Sequence, residues 1–431
     1  MQQVLTWFVI QVLSWEARLV LRRRRPRIIA VTGSVGKTTT KDAIFAALEG
    51  DVYVRKSEKT YNNEFGVPLT VLGEYSALRS PLGWLGIFVR GLITIFGSQP
   101  YPAWLIVEVG ADRPGDIRRI ARWLRPDIAV ITGVPEIPVH VEFFRSPEEV
   151  VEEKAALAEE MRHDGTLIIN GDDEHTRSVR ERFRARTVSY GFSDECDVIA
   201  RRCEIAYEGS APVGVRFRAE RSGASLPVFV RGALGRPRVY AALGALAVAE
   251  AVGLDLVSAA GALAKWEPTP GRMRILPGIR GSLIIDDTYN SSPAAALAAL
   301  ETLAEMKSAT KRIAVLGDML ELGKWSAEGH RQVGERAAKC ADMLVTVGFR
   351  ARTIAEAARD HGMGDMSVRQ YEQYEAERAG KELEPEMQEG VVVLVKGSQS
   401  MRMERTVLEI MAEPERAGEL LVRQEPEWLA R

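Results

Sequence analysis

Cysteine is scarce in this 431-residue chain: Cys196, Cys203 and Cys340, none in a Cys-x-x-Cys pair and none beside a histidine cluster. That excludes a disulfide framework or a zinc ribbon and fits free thiols in a reducing cytoplasm. An excess of either charge is lacking too. With 57 Lys and Arg against 59 Asp and Glu, the net charge of -2 offers no basic field for nucleic acid, so any phosphate recognition must be local. No internal repeat or low-complexity tract occurs. Nor is there an unbroken apolar run of the ~20 residues that a membrane span needs. Val4 to Leu21 is interrupted by Glu16 and Arg18; Pro81 to Gly97, with Trp84, Phe88 and Phe96 and only Arg90 charged, is short. A signal peptide would carry its positive charge before the apolar run, whereas Arg22 to Arg25 follow it. What remains is 46% hydrophobic and 27% charged, an ordinary globular composition long enough for two or three domains.

As a helix, the first segment places Gln3, Gln11, Ser14 and Arg18 on one face and most of Leu5, Phe8, Val9, Val12, Leu13 and Leu19 elsewhere. The expectation is a helix lying in a membrane interface with its arginines on anionic headgroups; packing on the protein's own core is the alternative. The 81–97 stretch reads as an insertion that touches membrane or shields a substrate, with an ordinary buried helix as the alternative.

The chain is organised around Thr32-Gly33-Ser34-Val35-Gly36-Lys37-Thr38-Thr39-Thr40, which lies between an apolar run, Arg27 to Val31, and an amphipathic one, Asp42 to Leu48. Strand, tight loop and helix in that order turn backbone N-H groups and a helix N-terminus toward phosphate oxygens. Lys37 is expected to neutralise terminal phosphates, and Thr38 to place its hydroxyl on a bridging Mg2+. The strict nucleotide-loop pattern has a glycine where this chain has Val31; the alternative is a Gly/Ser turn with a surface lysine.

Trp104 to Gly110 reads as a buried strand ending in Glu108, at the edge where parallel sheets gather ligands, which makes Glu108 a second magnesium ligand. His140 stands in a loop after the strand Asp127 to Thr132, and Lys154 on a helix, Pro147 to Met161; alone, each is as readily structural. From Asp197 to Gly235 the pattern alternates, as in antiparallel strands at one edge. Val239 to Val252 is an Ala-rich helix, and Trp266 to Arg272, with two prolines and a glycine, is a domain boundary. Beyond it, strands at Ser282 to Asp286, Arg312 to Leu316, Met343 to Val347 and Val391 to Val395 alternate with helices. The fold class is therefore α/β: a central, mostly parallel P-loop ATPase-type domain and a C-terminal Rossmann-like doubly wound domain. The expected divisions are 1–26 (helix and basic run), 27–270 (with the apolar insertion at 79–100) and 271–431.

Taken in order, these motifs resemble the Mur ligase family over about residues 27 to 412. The resemblance rests on the loop at Thr32 to Thr39, Tyr61-Asn62-Asn63-Glu64-Phe65-Gly66-Val67-Pro68-Leu69, Glu108-Val109-Gly110-Ala111, and His140 with Lys154 fourteen residues on. It continues in Asp286-Asp287-Thr288-Tyr289-Asn290, Val315 to Gly323, and Lys396-Gly397-Ser398. It implies an ATP- and Mg2+-dependent ligase of the type joining D-Ala-D-Ala, or a related amine, to a muramoyl-peptide acceptor through an acyl phosphate. It further implies a carbamylated Lys154 and a second magnesium near His140. Arg272 would reach the phosphates on domain closure, Asp287 and Asn290 would contact the nucleotide, Asn62 and Asn63 would contact substrate, and Lys396 and Ser398 would line the amine pocket.

Met1 to Arg25 stand where the family carries a UDP-sugar-binding domain, so the acceptor is expected to be UDP-linked or lipid-linked, with peripheral membrane contact through residues 1–25 and 81–97. Pro237-Arg238-Val239-Tyr240-Ala241 replaces the family's His-Asn-x-x-Asn, Gly133 replaces a familiar Asn, and Ser292 replaces another. Other readings are a folylpolyglutamate-like or cyanophycin-like ligase, and a non-catalytic nucleotide-binding regulator. The expected place is the cytoplasm, or the inner face of the cell membrane.

Overall fold

The computed structural model describes residues 2–58, 61–77, 80–183 and 185–429. Met1, Arg79 and Arg431, which bound expected segments, lie outside the described residues. The chain opens with α1 (Gln2–Arg24), β1 (Arg27–Thr32), α2 (Lys37–Leu48), β2 (Val54–Lys56), α3 (Gly66–Leu72) and α4 (Pro81–Phe96). Then come β3 (Trp104–Glu108), α5 (Asp116–Leu124), β4 (Ile128–Ile131), α6 (Pro147–Glu159), β5 (Thr166–Asn170), α7 (Glu174–Arg180) and β6 (Arg186–Gly191). A meander of β7 (Val198–Glu208), β8 (Ala211–Arg221) and β9 (Ala224–Arg231) precedes α8 (Arg236–Val252). These strands form one sheet in the order β2-β3-β1-β4-β5-β6-β7-β8-β9, parallel as far as β7 and antiparallel beyond.

Alternation along each parallel strand feeds two cores. Ile29 and Val31 of β1 pack with α2 and α8 on one face of the sheet, while Ile28 and Ala30 pack with α1, α3, α5 and α6 on the other. The Ala-rich helix starts at Arg236, three residues ahead of Val239, because Gly235 (φ 88°) turns the chain into it and Pro237 fits the first helical turn. The second sheet contains β10 (Arg274–Pro277), β11 (Leu283–Asp287), β12 (Lys311–Gly317), β13 (Met343–Val347), β14 (Val368–Tyr371) and β15 (Val391–Lys396). Its order is β10-β11-β15-β12-β13-β14, with only β10 antiparallel.

Helix α1 departs from the expected division of faces. It buries Val9, Leu13, Ala17 and Val20 beside α3 and α4, while Gln11 and Arg18 look outward together with Trp7, Phe8 and Trp15. So the helix does pack on its own core, and its outer face is mixed where a polar one was expected. Among the described residues no helix is long and apolar enough to cross a membrane.

Candidate active site

The turn between β1 and α2 uses left-handed glycines: Gly33 at φ 142° and Gly36 at φ 79°. A Cβ on Gly33 would collide with Thr132 Oγ1, so the loop's closeness to the end of β4 requires glycine there. Ser34 N donates to Gly133 O at 2.8 Å, fastening the loop to the next strand end, and Thr38 and Thr39 are buried in the first turn of α2. Lys37 Nζ donates to Gly33 O at 2.8 Å. Desolvation lowers the Lys37 pKa, and the Glu108 carboxylate opposes that shift.

Glu108, at the end of β3, accepts from Thr38 Oγ1 at 3.0 Å and from Asn62 Nδ2 at 3.1 Å. Asn63 instead accepts from the N-H groups of Phe65 and Gly66 at 3.1 and 3.0 Å, so its side chain serves the start of α3. From the inter-domain linker, Arg272 Nη2 donates to Thr38 Oγ1 at 3.4 Å, with its guanidinium stacked on the Tyr289 ring at 3.9 Å. Three cation or hydroxyl groups and one carboxylate thus meet at one strand edge, a set suited to a polyphosphate and a hard divalent ion.

Lys154 is buried on α6, and burial pulls its pKa down to about 7, assisted by the charge of Lys37 and opposed by Glu153, Asp112 and Asp116. Its neighbour Glu153 receives the N-H groups of Gly115 and Ile117, both at 2.6 Å, at the start of α5. His140, in a left-handed conformation (φ 69°), has Nδ1 2.7 Å from Glu321 Oε2 in the second domain. Among the described residues no three His, Cys, Asp or Glu side chains form a metal-type cluster, so His140 is grouped with Glu321 and not with other ligands. The residues that fit Mg2+ as they stand are Thr38 and Glu108.

Asp287 and Lys396 were expected to face nucleotide and amine substrate; the structure pairs them with each other at 2.5 Å, both buried. Lys396 Nζ also donates to Asn290 O at 3.0 Å, and Asn290 Oδ1 accepts from Ser291 N at 2.9 Å. Ser398, also buried, receives Leu320 N at 2.8 Å and so braces the Gly317 to Gly323 loop. Arg238, in the altered adenine motif, is sealed beneath Trp266, 3.7 Å from the ring centroid.

Sequence reading assigned no role to Asp286, which the structure places behind Arg272. Its Oδ2 accepts from Gly271 N at 2.9 Å, fixing the linker one residue before the arginine, and burial raises its pKa to about 6. Its acidic neighbour and its position at a strand end were the only available signals.

Residues 100–249 match the family described as Mur ligase middle domain, and residues 271–399 match Mur ligase, glutamate ligase domain. The UDP-N-acetylmuramoyl-tripeptide--D-alanyl-D-alanine ligase of Mycobacterium tuberculosis (strain ATCC 25618 / H37Rv) is 31% identical over 392 residues, covering 86% of this chain and 70% of the relative. The chain belongs to the Mur ligase family. The like-named ligase of Bacillus subtilis (strain 168) is 28% identical over 400 residues, 92% of this chain and 79% of that one. The MurF ligase from Thermotoga maritima, solved in complex with ADP, superposes with a TM-score of 0.77 at 25% identity, covering 94% of this chain and 84% of that one. Membership of this Mur ligase family makes the chain an ATP-dependent acid–amino-acid ligase of peptidoglycan precursor synthesis.

Proposed function

We propose that this ligase joins D-Ala-D-Ala, or a related amine, to the terminal carboxylate of a muramoyl tripeptide carried on UDP or on a lipid. The observation that carries the reading is the meeting of Arg272, from the linker, with Thr38 of the phosphate loop, while Thr38 also bonds Glu108. An ordinary carboxylate resists amine attack because its oxygen leaves poorly. Transfer of the γ-phosphoryl group to that oxygen, with release of ADP, creates a good leaving group; the amine then attacks the acyl carbon and phosphate departs.

Bringing carboxylate against triphosphate requires concentrated positive charge, which Lys37 and Arg272 supply. Thr38 and Glu108 would hold Mg2+, which neutralises phosphate charge when bound. A neutral Lys154 amine can bond to the carbon of CO2 and lose a proton, giving an anionic oxygen that would serve as a further Mg2+ donor. Asn62 orients Glu108, and Asp286 positions the linker behind Arg272. The proposed workplace is the cytoplasm, at the inner face of the cell membrane.

Phosphate release from ATP tests this, with D-Ala-D-Ala offered beside UDP-muramoyl tripeptide or its lipid-linked form. Release that requires both amine and acceptor is expected. ATP binding without release for either acceptor would overturn the reading.

A further inference from the structure

We infer that the α1/α4 face docks on an anionic phospholipid bilayer, with headgroup phosphates held in an arginine groove at the amino ends of the central strands. This deepens the membrane-side location proposed above, yet its test needs no turnover, so it can fail while the ligase reading stands.

The apolar part is a built surface. The outward side of α4 is formed by Leu82, Leu85, Val89, Leu92, Ile93 and Phe96, every one at least 40% exposed. Beside it, α1 presents Trp7, Phe8 and Trp15, all more than half exposed. Arg24 at the end of α1 donates to Thr94 O at 2.9 Å and Gly97 O at 2.6 Å, tying the two helices together at the end of α4. Large apolar side chains contiguous on one helix mark an interaction site, and tryptophans suit the headgroup level of a bilayer.

The basic part shares the α1 face. Phe8, Trp15 and Arg22 recur every seven residues, so they lie along one side of the helix; Arg18 stands beside them, and Arg25 follows just past the helix end. Arg18, Arg22 and Arg25 line a groove of about 1130 Å³. Its far wall brings Arg27 from β1, Arg122 and Arg125 from the end of α5, and Arg162 from the turn before β5. These seven arginines meet two aspartates, Asp127 and Asp164, and both of those lie against Arg162. Among the described residues Arg22, Arg25 and Arg125 have no carboxylate partner. In a chain of net charge -2, this is a local concentration of positive charge.

Charge complementarity selects the occupant. A second copy docked through the same face would set arginine against arginine, whereas an anionic bilayer satisfies the arginines and the apolar side chains at once. Spanning is excluded for the described helices, so the contact is interfacial.

The experiment is flotation of the full chain with phosphatidylcholine vesicles, with or without one third phosphatidylglycerol, at low and at 0.5 M salt. Capture is expected on the anionic vesicles, at least ~10-fold weaker on neutral ones and weaker at high salt. Two variants separate the parts: Arg22→Glu/Arg25→Glu/Arg125→Glu, and Leu85→Ser/Leu92→Ser/Phe96→Ser. Each should lose most capture while keeping its melting temperature and its phosphate release with a soluble acceptor. Wild-type protein left unbound by anionic vesicles would overturn the inference. So would capture unaffected by the arginine variant, binding of inorganic pyrophosphate without binding of vesicles, or a stable dimer that the serine variant dissociates.

Discussion

His140 Nδ1 lies 2.7 Å from Glu321 Oε2, so the two domains touch through a pair of side chains. Glu321 O also lies 3.5 Å from Glu142 N. The pair is partly exposed, so Glu321→Gln should change stability by less than about 1 kcal/mol. If domain closure brings Arg272 to the phosphates, as the family resemblance implies, kcat should nevertheless fall several-fold with little change in KM for ATP. Steady-state phosphate release and thermal denaturation measure both; an unchanged kcat would make this a passive contact.

Lys154 gives a pH dependence with a definite sign. Its folded pKa of about 7 lies below the ordinary 10.5, so the unfolded chain holds more protons between those values. Its contribution to stability therefore rises with pH from about 7 to 10.5, and the neutral amine that captures CO2 appears as pH passes about 7. With 13C-bicarbonate, a carbamate NMR signal should grow between pH 6 and 8. Lys154→Ala should abolish both signal and activity, with activity partly restored by short-chain acids; full activity without rescue would refute the carbamate.

Arg272→Lys removes the planar stack on Tyr289 and shortens the reach to Thr38. A loss of roughly 100-fold in kcat/KM is expected, with melting temperature nearly unchanged. Glu108→Gln should lose a comparable amount, and ADP binding should then become less sensitive to Mg2+. Calorimetry of ADP with and without Mg2+ would expose the alternative, in which Glu108 merely positions Thr38.

Glu16 is buried between α1 and α4 with Oε2 unpartnered, and burial raises its pKa to about 7. A raised carboxyl contributes most below its ordinary value of 4.5 and loses that contribution as pH rises through about 7. Glu16→Gln should accordingly raise the melting temperature at pH 8 and barely alter it at pH 4. Gly91→Ala puts a methyl group against the same carboxylate, the far end of a side chain that can shift, so alanine's helix preference of about 1 kcal/mol should largely offset the cost. Melting curves at the two pH values decide; a Glu16→Gln effect larger at pH 4 would reverse the assignment.

The parallel sheets, the antiparallel edge and the phosphate loop were legible because their signals are local: alternation within a strand, or glycines and a lysine within one turn. Glu108 was legible for a related reason, since the end of a strand faces the ligand edge of its sheet. The pairing of Lys396 with Asp287 was not, because they stand 109 residues apart and pairing across β11 and β15 leaves no mark on either segment. The burial of Arg238 was not legible either, because the ring that covers it, Trp266, belongs to the linker. The arginine groove was invisible for the same physical cause, since its walls come from five separate stretches of chain.

Strand β1 carries Arg27 of the groove at its start and Thr32 of the phosphate loop at its end. Five steps of about 3.3 Å make it a spacer of roughly 17 Å. An enzyme resting on lipid through the groove would hold its chemistry at that stand-off from the surface. Any acceptor anchored in the same bilayer must have a headgroup long enough to bridge the gap, so short-stemmed lipids would be rejected by reach alone.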